Sequence, residues 1–134
     1  MLKIKIAAAA AVGLLLQAQA FAGSYYGQNV VVSGNVGYGS VLAARDSSDS
    51  TQSISCYVGA YVTNADITNT TANVYLSCGA TDSTGKSYSC YTYNPPDTWV
   101  KMMTSMNEIS WIYFYGDSAG HCQGLNVDQG SQYL

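Results

Sequence analysis

Two consecutive stretches of strict alternation, each with a cysteine on its apolar side, constrain this chain most. In Ser53–Val62, Ile54, Cys56, Val58, Ala60 and Val62 share one parity, while Ser53, Ser55, Tyr57, Gly59 and Tyr61 share the other. In the next stretch Ala72, Val74, Leu76, Cys78 and Ala80 alternate with Asn73, Tyr75 and Ser77. A period of two turns successive side chains to opposite faces of a strand, so each stretch reads as a half-buried β-strand. The intervening 64–71 segment is rich in Asn, Asp and Thr, which favour turns. Folding about residue 67 sets Cys56 opposite Cys78. A second turn, Asp82-Ser83-Thr84-Gly85, leads into a strand at Ser87–Tyr93. Folding about residue 84 sets Cys78 opposite Cys90 as well.

The remaining elements are shorter. Asn94-Pro95-Pro96-Asp97 interrupts the sheet, and Trp99, Val100, Met103 and Met106 then fall on one helical face. One short helix over 96–106 is expected, with Asp97 complementing its N-terminal dipole and the methionines filling core. A strand follows at 109–115, with Ser110, Ile112 and Phe114 on one face and Trp111, Tyr113 and Tyr115 on the other. Because both faces are bulky, both are expected to be covered. Asp117-Ser118-Ala119-Gly120 repeats the earlier Asp-Ser-x-Gly pattern and closes a third hairpin onto a strand at 122–127. Upstream, 30–32 and 36–44 read as one or two further strands, and 45–52 as a polar loop. The fold class is therefore mainly β: a small antiparallel sheet or sandwich built from hairpins, with one short helix packed on it.

The cysteines bear on location. The chain starts with Lys3 and Lys5, an uncharged run over 6–16 and small residues at Ala18-Gln19-Ala20 and Ala20-Phe21-Ala22. The run is shorter than the ~20 residues a membrane-spanning helix needs, and the whole pattern is that of a secretory signal. Cleavage after Ala22 leaves one domain over 23–134. Cys56, Cys78, Cys90 and Cys122 all lie beyond it, and an even number in an exported chain indicates two disulfides. Their spacing is too wide for a zinc site. Of three possible connectivities, Cys56–Cys78 with Cys90–Cys122 is preferred, because the second link would tie the C-terminal hairpin to the rest. The expected location is periplasmic or secreted.

Loss of the signal leaves Arg45, Lys86 and Lys101 against eight acids, a net charge of three minus eight, or −5. Such a chain has no basic footprint for a phosphate backbone, so neither nucleic acid nor, after signal removal, a membrane is an expected partner. Charged residues are only 10% of the chain, so its surface must be polar through hydroxyls and amides.

Catalytic chemistry finds few residues to use. His121 is the single histidine and lies four residues after Asp117; with one of the serines the two could form a hydrolase triad. No nucleophile-elbow motif accompanies them. Glu108 is the sole glutamate, and the aspartates fall mainly in turns, which leaves paired-carboxylate glycoside hydrolysis little to work with. Asp46 and Asp49 could offer oxygens to calcium, but in no EF-hand spacing. No catalytic residue, metal ligand or cofactor is assigned.

The tyrosines say more. In the two registers above, Tyr61, Tyr75 and Tyr93 fall together on the outward face, with Tyr57 and Tyr91 beside them. Tyrosine combines broad apolar area with a hydroxyl and little entropy to lose, which suits recognition of a glycan or a protein. Cross-strand packing beneath another layer would explain the same pattern. The 27–40 segment, rich in small residues and valine, could complete a neighbour's sheet. The penultimate Tyr133 resembles the C-terminal aromatic of chaperone-assembled pilins, although chain length, cysteine placement and the last strand depart from that family's pattern. The functional expectation is an exported non-enzymatic binding or assembly module that contacts a glycan, a protein or another copy of itself. The alternatives are a small hydrolase centred on His121 and Asp117, or an inhibitor or toxin acting through the 64–71 loop.

Overall fold

Pairing completes what alternation begins. The computed structural model describes residues 28–62 and 72–129. Along them run β1 (Val31–Ser33), β2 (Val36–Ser40), α1 (Val41–Asp46), β3 (Ser53–Val62), β4 (Ala72–Thr81), β5 (Ser87–Tyr93), α2 (Asp97–Ser105), β6 (Trp111–Gly116) and β7 (Cys122–Asp128). They form two antiparallel sheets, one ordered β3-β4-β5 and the other β1-β2-β6-β7. Cys56 faces Cys78 across β3 and β4, and Cys78 faces Cys90 across β4 and β5, the registers expected from folding about residues 67 and 84. The bonds formed are Cys56–Cys78 and Cys90–Cys122. The first joins neighbouring strands of one sheet; the second joins β5 to β7 and so staples the two sheets together.

The sheets share one core. Ile54, Cys56, Leu76, Cys78, Ala80 and Cys90 from one sheet meet Val32, Ile112, Phe114 and Cys122 from the other, with Val30 and Met103 alongside. Close packing dictates Gly37, whose register partner is Phe114. A Cβ there would lie 2.6 Å from the Phe114 ring and 2.9 Å from Ala80 Cβ. Such distances leave no room for a methyl group in a filled interior. Helix α2 contributes Met103 to the core, with Trp99 and Met106 packed at its margin.

The two Asp-Ser-x-Gly turns are built alike. The Asp82 carboxylate accepts from the Thr84 and Lys86 amides at 2.9 and 3.1 Å. That of Asp117 accepts from the Ala119 and His121 amides, both at 2.9 Å. Gly85 and Gly120 both take φ +83°, a left-handed conformation that favours glycine.

Two expectations are corrected. The 36–44 strand ends at Ser40, and a second helix, α1, follows. Buried Ser40 keeps an extended backbone (φ −90°, ψ 132°) while its Oγ accepts from the Ala43 amide at 3.2 Å, an N-cap. Leu42, Ala43, Ala44 and Arg45 are strong helix formers, so the cap and propensity prevail over an apolar run that also reads as strand. The second correction concerns β6, expected to be covered on both faces. Ile112 and Phe114 are fully buried, whereas Tyr115 is 41% exposed and Trp111 and Tyr113 are partly exposed. Helix α2 adds its buried Met103 to the core side, and among the described residues no helix or second sheet covers the aromatic side.

Candidate functional site

The outward face of β3-β4-β5 follows from register. Its rows read Tyr57–Ser77–Tyr91, then Gly59–Tyr75–Tyr93, then Tyr61–Asn73. All five tyrosines of interest lie in these rows. Tyr57, Tyr61, Tyr91 and Tyr93 are 54, 40, 41 and 58% exposed, and Tyr75 is partly buried among them.

Contacts link the rings into one run. Tyr57 meets Tyr75 at 5.9 Å and 89°, Tyr75 meets Tyr61 at 6.1 Å and 53°, Tyr61 meets Tyr93 at 6.1 Å and 74°, and Tyr93 meets Tyr91 at 5.7 Å and 71°. Three of these pairs are edge-to-face, an arrangement aromatic quadrupoles prefer, and the Tyr75–Tyr61 pair is tilted. Glycine at 59 lets the hub ring drape over the neighbouring strand, because a Cβ there would lie 2.5 Å from Tyr75 Cζ. The rings are therefore exposed but not coplanar. They form a stepped surface, with Tyr57 standing at a right angle to Tyr75, and not a flat platform.

Toward the Asp82 turn the same face changes character. Its rows there are Ser55–Gly79–Ser89 and Ser53–Thr81–Ser87. These residues, together with Ala80 and Tyr88, line an open trough of about 280 Å³. Thr81 Oγ1 and Ser87 Oγ lie 2.9 Å apart and share a hydrogen bond. The face thus has a ring half and a hydroxyl half, and none of its row residues is charged.

His121 and Asp117 border the ring half. The His121 ring meets Tyr91 at 5.3 Å and 69°, and the Tyr91 amide donates to the Gly120 carbonyl at 2.9 Å. His121 Nδ1 lies 3.2 Å from Asp117 Oδ2, which also accepts from Gln123 Nε2 at 3.2 Å. The backbone N–H of His121, then its ring and the Ala119 amide, hold the Asp117 carboxyl below the usual carboxylate range against a smaller opposing effect of desolvation. Asp117 serves its own turn. Among the described residues no serine hydroxyl hydrogen-bonds to His121, so the constellation stops at a pair on an open surface.

The other candidates are placed as follows. Asp49 accepts from the Thr51 and Gln52 amides at 3.0 and 2.9 Å and from Gln52 Nε2 at 2.7 Å. Its oxygens are thus used in closing its own loop, while Asp46 pairs with Arg45 at 3.1 Å. Among the described residues no three His, Cys, Asp or Glu side chains converge on a point. The described part of the 27–40 segment pairs within its own sheet, β1 with β2 and β2 with β6. The signal over 1–22, the 64–71 loop and Tyr133 lie outside the described residues. Among the described residues no helix is long and apolar enough to cross a membrane.

One surface was not anticipated. On the outward side of the four-stranded sheet, Tyr38 lies 6.2 Å from Trp111 and 6.3 Å from Tyr113, and Tyr113 lies 6.1 Å from Tyr115. Trp111 Nε1 donates to Gln28 Oε1 at 2.9 Å. The alternation of Trp111, Tyr113 and Tyr115 was visible, but Tyr38 joins them only through pairing of β2 with β6, which no local pattern announces. No family model, curated protein or solved structure matches this chain.

Proposed function

We propose that this chain is an exported, non-enzymatic binding module whose tyrosine-bearing face on β3-β4-β5 engages a partner outside the chain: a glycan, a protein or a second copy of itself. One observation carries the proposal. Four tyrosines, each 40% exposed or more, occupy one continuous run on a single sheet face. Exposed apolar area gathered in one place marks interaction surfaces, whereas isolated exposed rings do not. The stepped arrangement favours a partner that meets rings one at a time over a flat crystalline lattice. Both disulfides fit an oxidising compartment, secreted or periplasmic. The low basic content argues against nucleic acid and anionic membrane as partners.

The test is capture on a printed array of neutral and anionic glycans, with light scattering to read self-association. The oxidised parent chain is compared with a Tyr57→Ala/Tyr93→Ala variant of unchanged circular dichroism. Capture or self-association that the double variant loses supports the proposal. Absence of both in the parent, or their survival in the variant, overturns it.

A further inference from the structure

The tyrosine run and the hydroxyl trough are two halves of one surface. The row Tyr57–Ser77–Tyr91 adjoins the row Ser55–Gly79–Ser89, and side chains two residues apart along a strand stand ~6.6 Å apart. We propose that the ligand of this face is a neutral glycan, with sugar rings stacked against Tyr57 and Tyr91 and the adjoining sugar hydroxyls bonded in the trough. The proposal rests on the reading of this face as a binding surface and adds the ligand class.

Three observations converge on that class. The first is charge. None of the row residues is ionic, and the nearest carboxylate at the trough end, Asp82, already accepts from the Thr84 amide, the Thr84 hydroxyl and the Lys86 amide. Lys86, exposed in the same turn, is the sole cation bordering the trough among the described residues. An anionic glycan would find no pair of guanidinium or ammonium groups to meet it.

Hydroxyl chemistry is the second observation. Ser53, Ser55 and Ser89 are exposed, and their hydroxyls make no hydrogen bond among the described residues, in addition to the Thr81–Ser87 pair. Each hydroxyl both donates and accepts, as sugar hydroxyls do. An apolar anchor from a protein would strip water from these groups and leave them unpaired, at ~1–3 kcal/mol each when buried. A polyol replaces that water group for group.

Depth is the third. Gly79 lies mid-strand in the central strand, where glycine weakens pairing and marks close approach of another molecule. No packing demand explains it: a Cβ at 79 would meet only Ser89 Cβ, at an ordinary 3.9 Å. The trough it helps to form is open and about 280 Å³, a little below the ~300–1,000 Å³ of clefts that bury a small molecule.

Calorimetric titration of the oxidised chain separates the possibilities. The probes are neutral hexasaccharides of glucose, mannose, galactose and N-acetylglucosamine, against hexagalacturonate and a heparin hexasaccharide. At least one neutral probe should bind more tightly than either anionic one. Tyr57→Ala and Gly79→Val should each weaken that binding tenfold or more. Valine suits a strand, so Gly79→Val should melt no lower than the parent, which separates a filled trough from a damaged fold. Stronger binding of an anionic probe, or no neutral binding at millimolar concentration, overturns the inference. Loss with Tyr57→Ala but not with Gly79→Val also overturns it, yet leaves the tyrosine face standing as a binding surface. Neutral binding indifferent to both variants overturns the two together.

Discussion

Removing the Cys90–Cys122 bridge should be the most damaging change of a single covalent link in this chain. The bridge closes a sequence separation of 32 residues, and cross-linking a loop of that length lowers unfolded-chain entropy by an amount worth about 3.7 kcal/mol at 25 °C. Both sulfurs are buried, with Cys90 2% and Cys122 6% exposed. Replacing each residue by alanine deletes roughly one methylene equivalent of burial, ~0.8 kcal/mol apiece. The double variant Cys90→Ala/Cys122→Ala should therefore lose about 5 kcal/mol, a large share of the ~5–15 kcal/mol that stabilises most domains. Calorimetry should show a melting temperature about 20 °C lower. The Cys56–Cys78 bridge, with a separation of 22, has nearly the same entropic value, about 3.4 kcal/mol. It differs in what it holds, because β3 and β4 are already paired through ten register positions. Hydrogen exchange should separate the two. Without Cys90–Cys122 the Tyr91 amide, which bonds across to Gly120, should exchange by local opening, whereas loss of Cys56–Cys78 should leave it protected. A fall in melting temperature below about 5 °C, with Tyr91 still protected, would refute the view that this bridge staples the sheets.

Three further outcomes follow from particular contacts. Gly37→Ala should cost ~1–3 kcal/mol by denaturant titration, since its methyl meets the immobile Phe114 ring and Ala80. Gly59→Ala should cost less, because the Tyr75 ring end it meets can swing toward solvent; equal costs would contradict the packing described. Ser40→Ala should lower stability by about 1 kcal/mol through loss of the α1 cap, measured the same way. Asp49, Asp82 and Asp117 all have carboxyls held below the ordinary range, chiefly by the Gln52 side chain, the Thr84 hydroxyl and the His121 amide respectively. The unfolded chain therefore takes up these protons first, and their stabilisation is present above the ordinary carboxylate value of about 3.9. It is lost as pH falls through the lower folded values. The denaturation midpoint should be flat from pH 7 to 5 and fall below about pH 4, and the triple Asp→Asn variant should show a shallower acid limb.

The legible parts of the fold were those where one local rule acted alone. Ser53–Val62 and the strand after it alternate without interruption, and a turn between them sets the register, so the facing of Cys56 and Cys78 and the tyrosine rows followed from counting; the bond itself did not, because Cys90 faces Cys78 as well. Both Asp-Ser-x-Gly turns were legible because carboxylate and glycine do separate, necessary jobs. Helix α1 was not, since Val41–Ala44 satisfies strand and helix patterns alike and the deciding hydrogen bond comes from Ser40. The open face of β6 was missed for a different reason. Bulk on both sides of a strand implies burial only if another layer is available, and the layer on this sheet packs on the Phe114 side. Tyr38 meets Tyr113 only after strands far apart in sequence have paired. The hydroxyl trough, likewise, was present as scattered serines with nothing local to mark them as one surface.

Whether exposed tyrosine serves recognition or merely packs the sheet is measured most directly by Tyr57→Ala. Tyr57 is 54% exposed and, among the described residues, touches one other ring, Tyr75, so its loss should change unfolding free energy by only ~0.2–1 kcal/mol. Paired titrations with denaturant and with the best-bound neutral hexasaccharide should show near-parental stability and affinity reduced tenfold or more. A variant that unfolds far more easily yet binds as the parent does would contradict the claim.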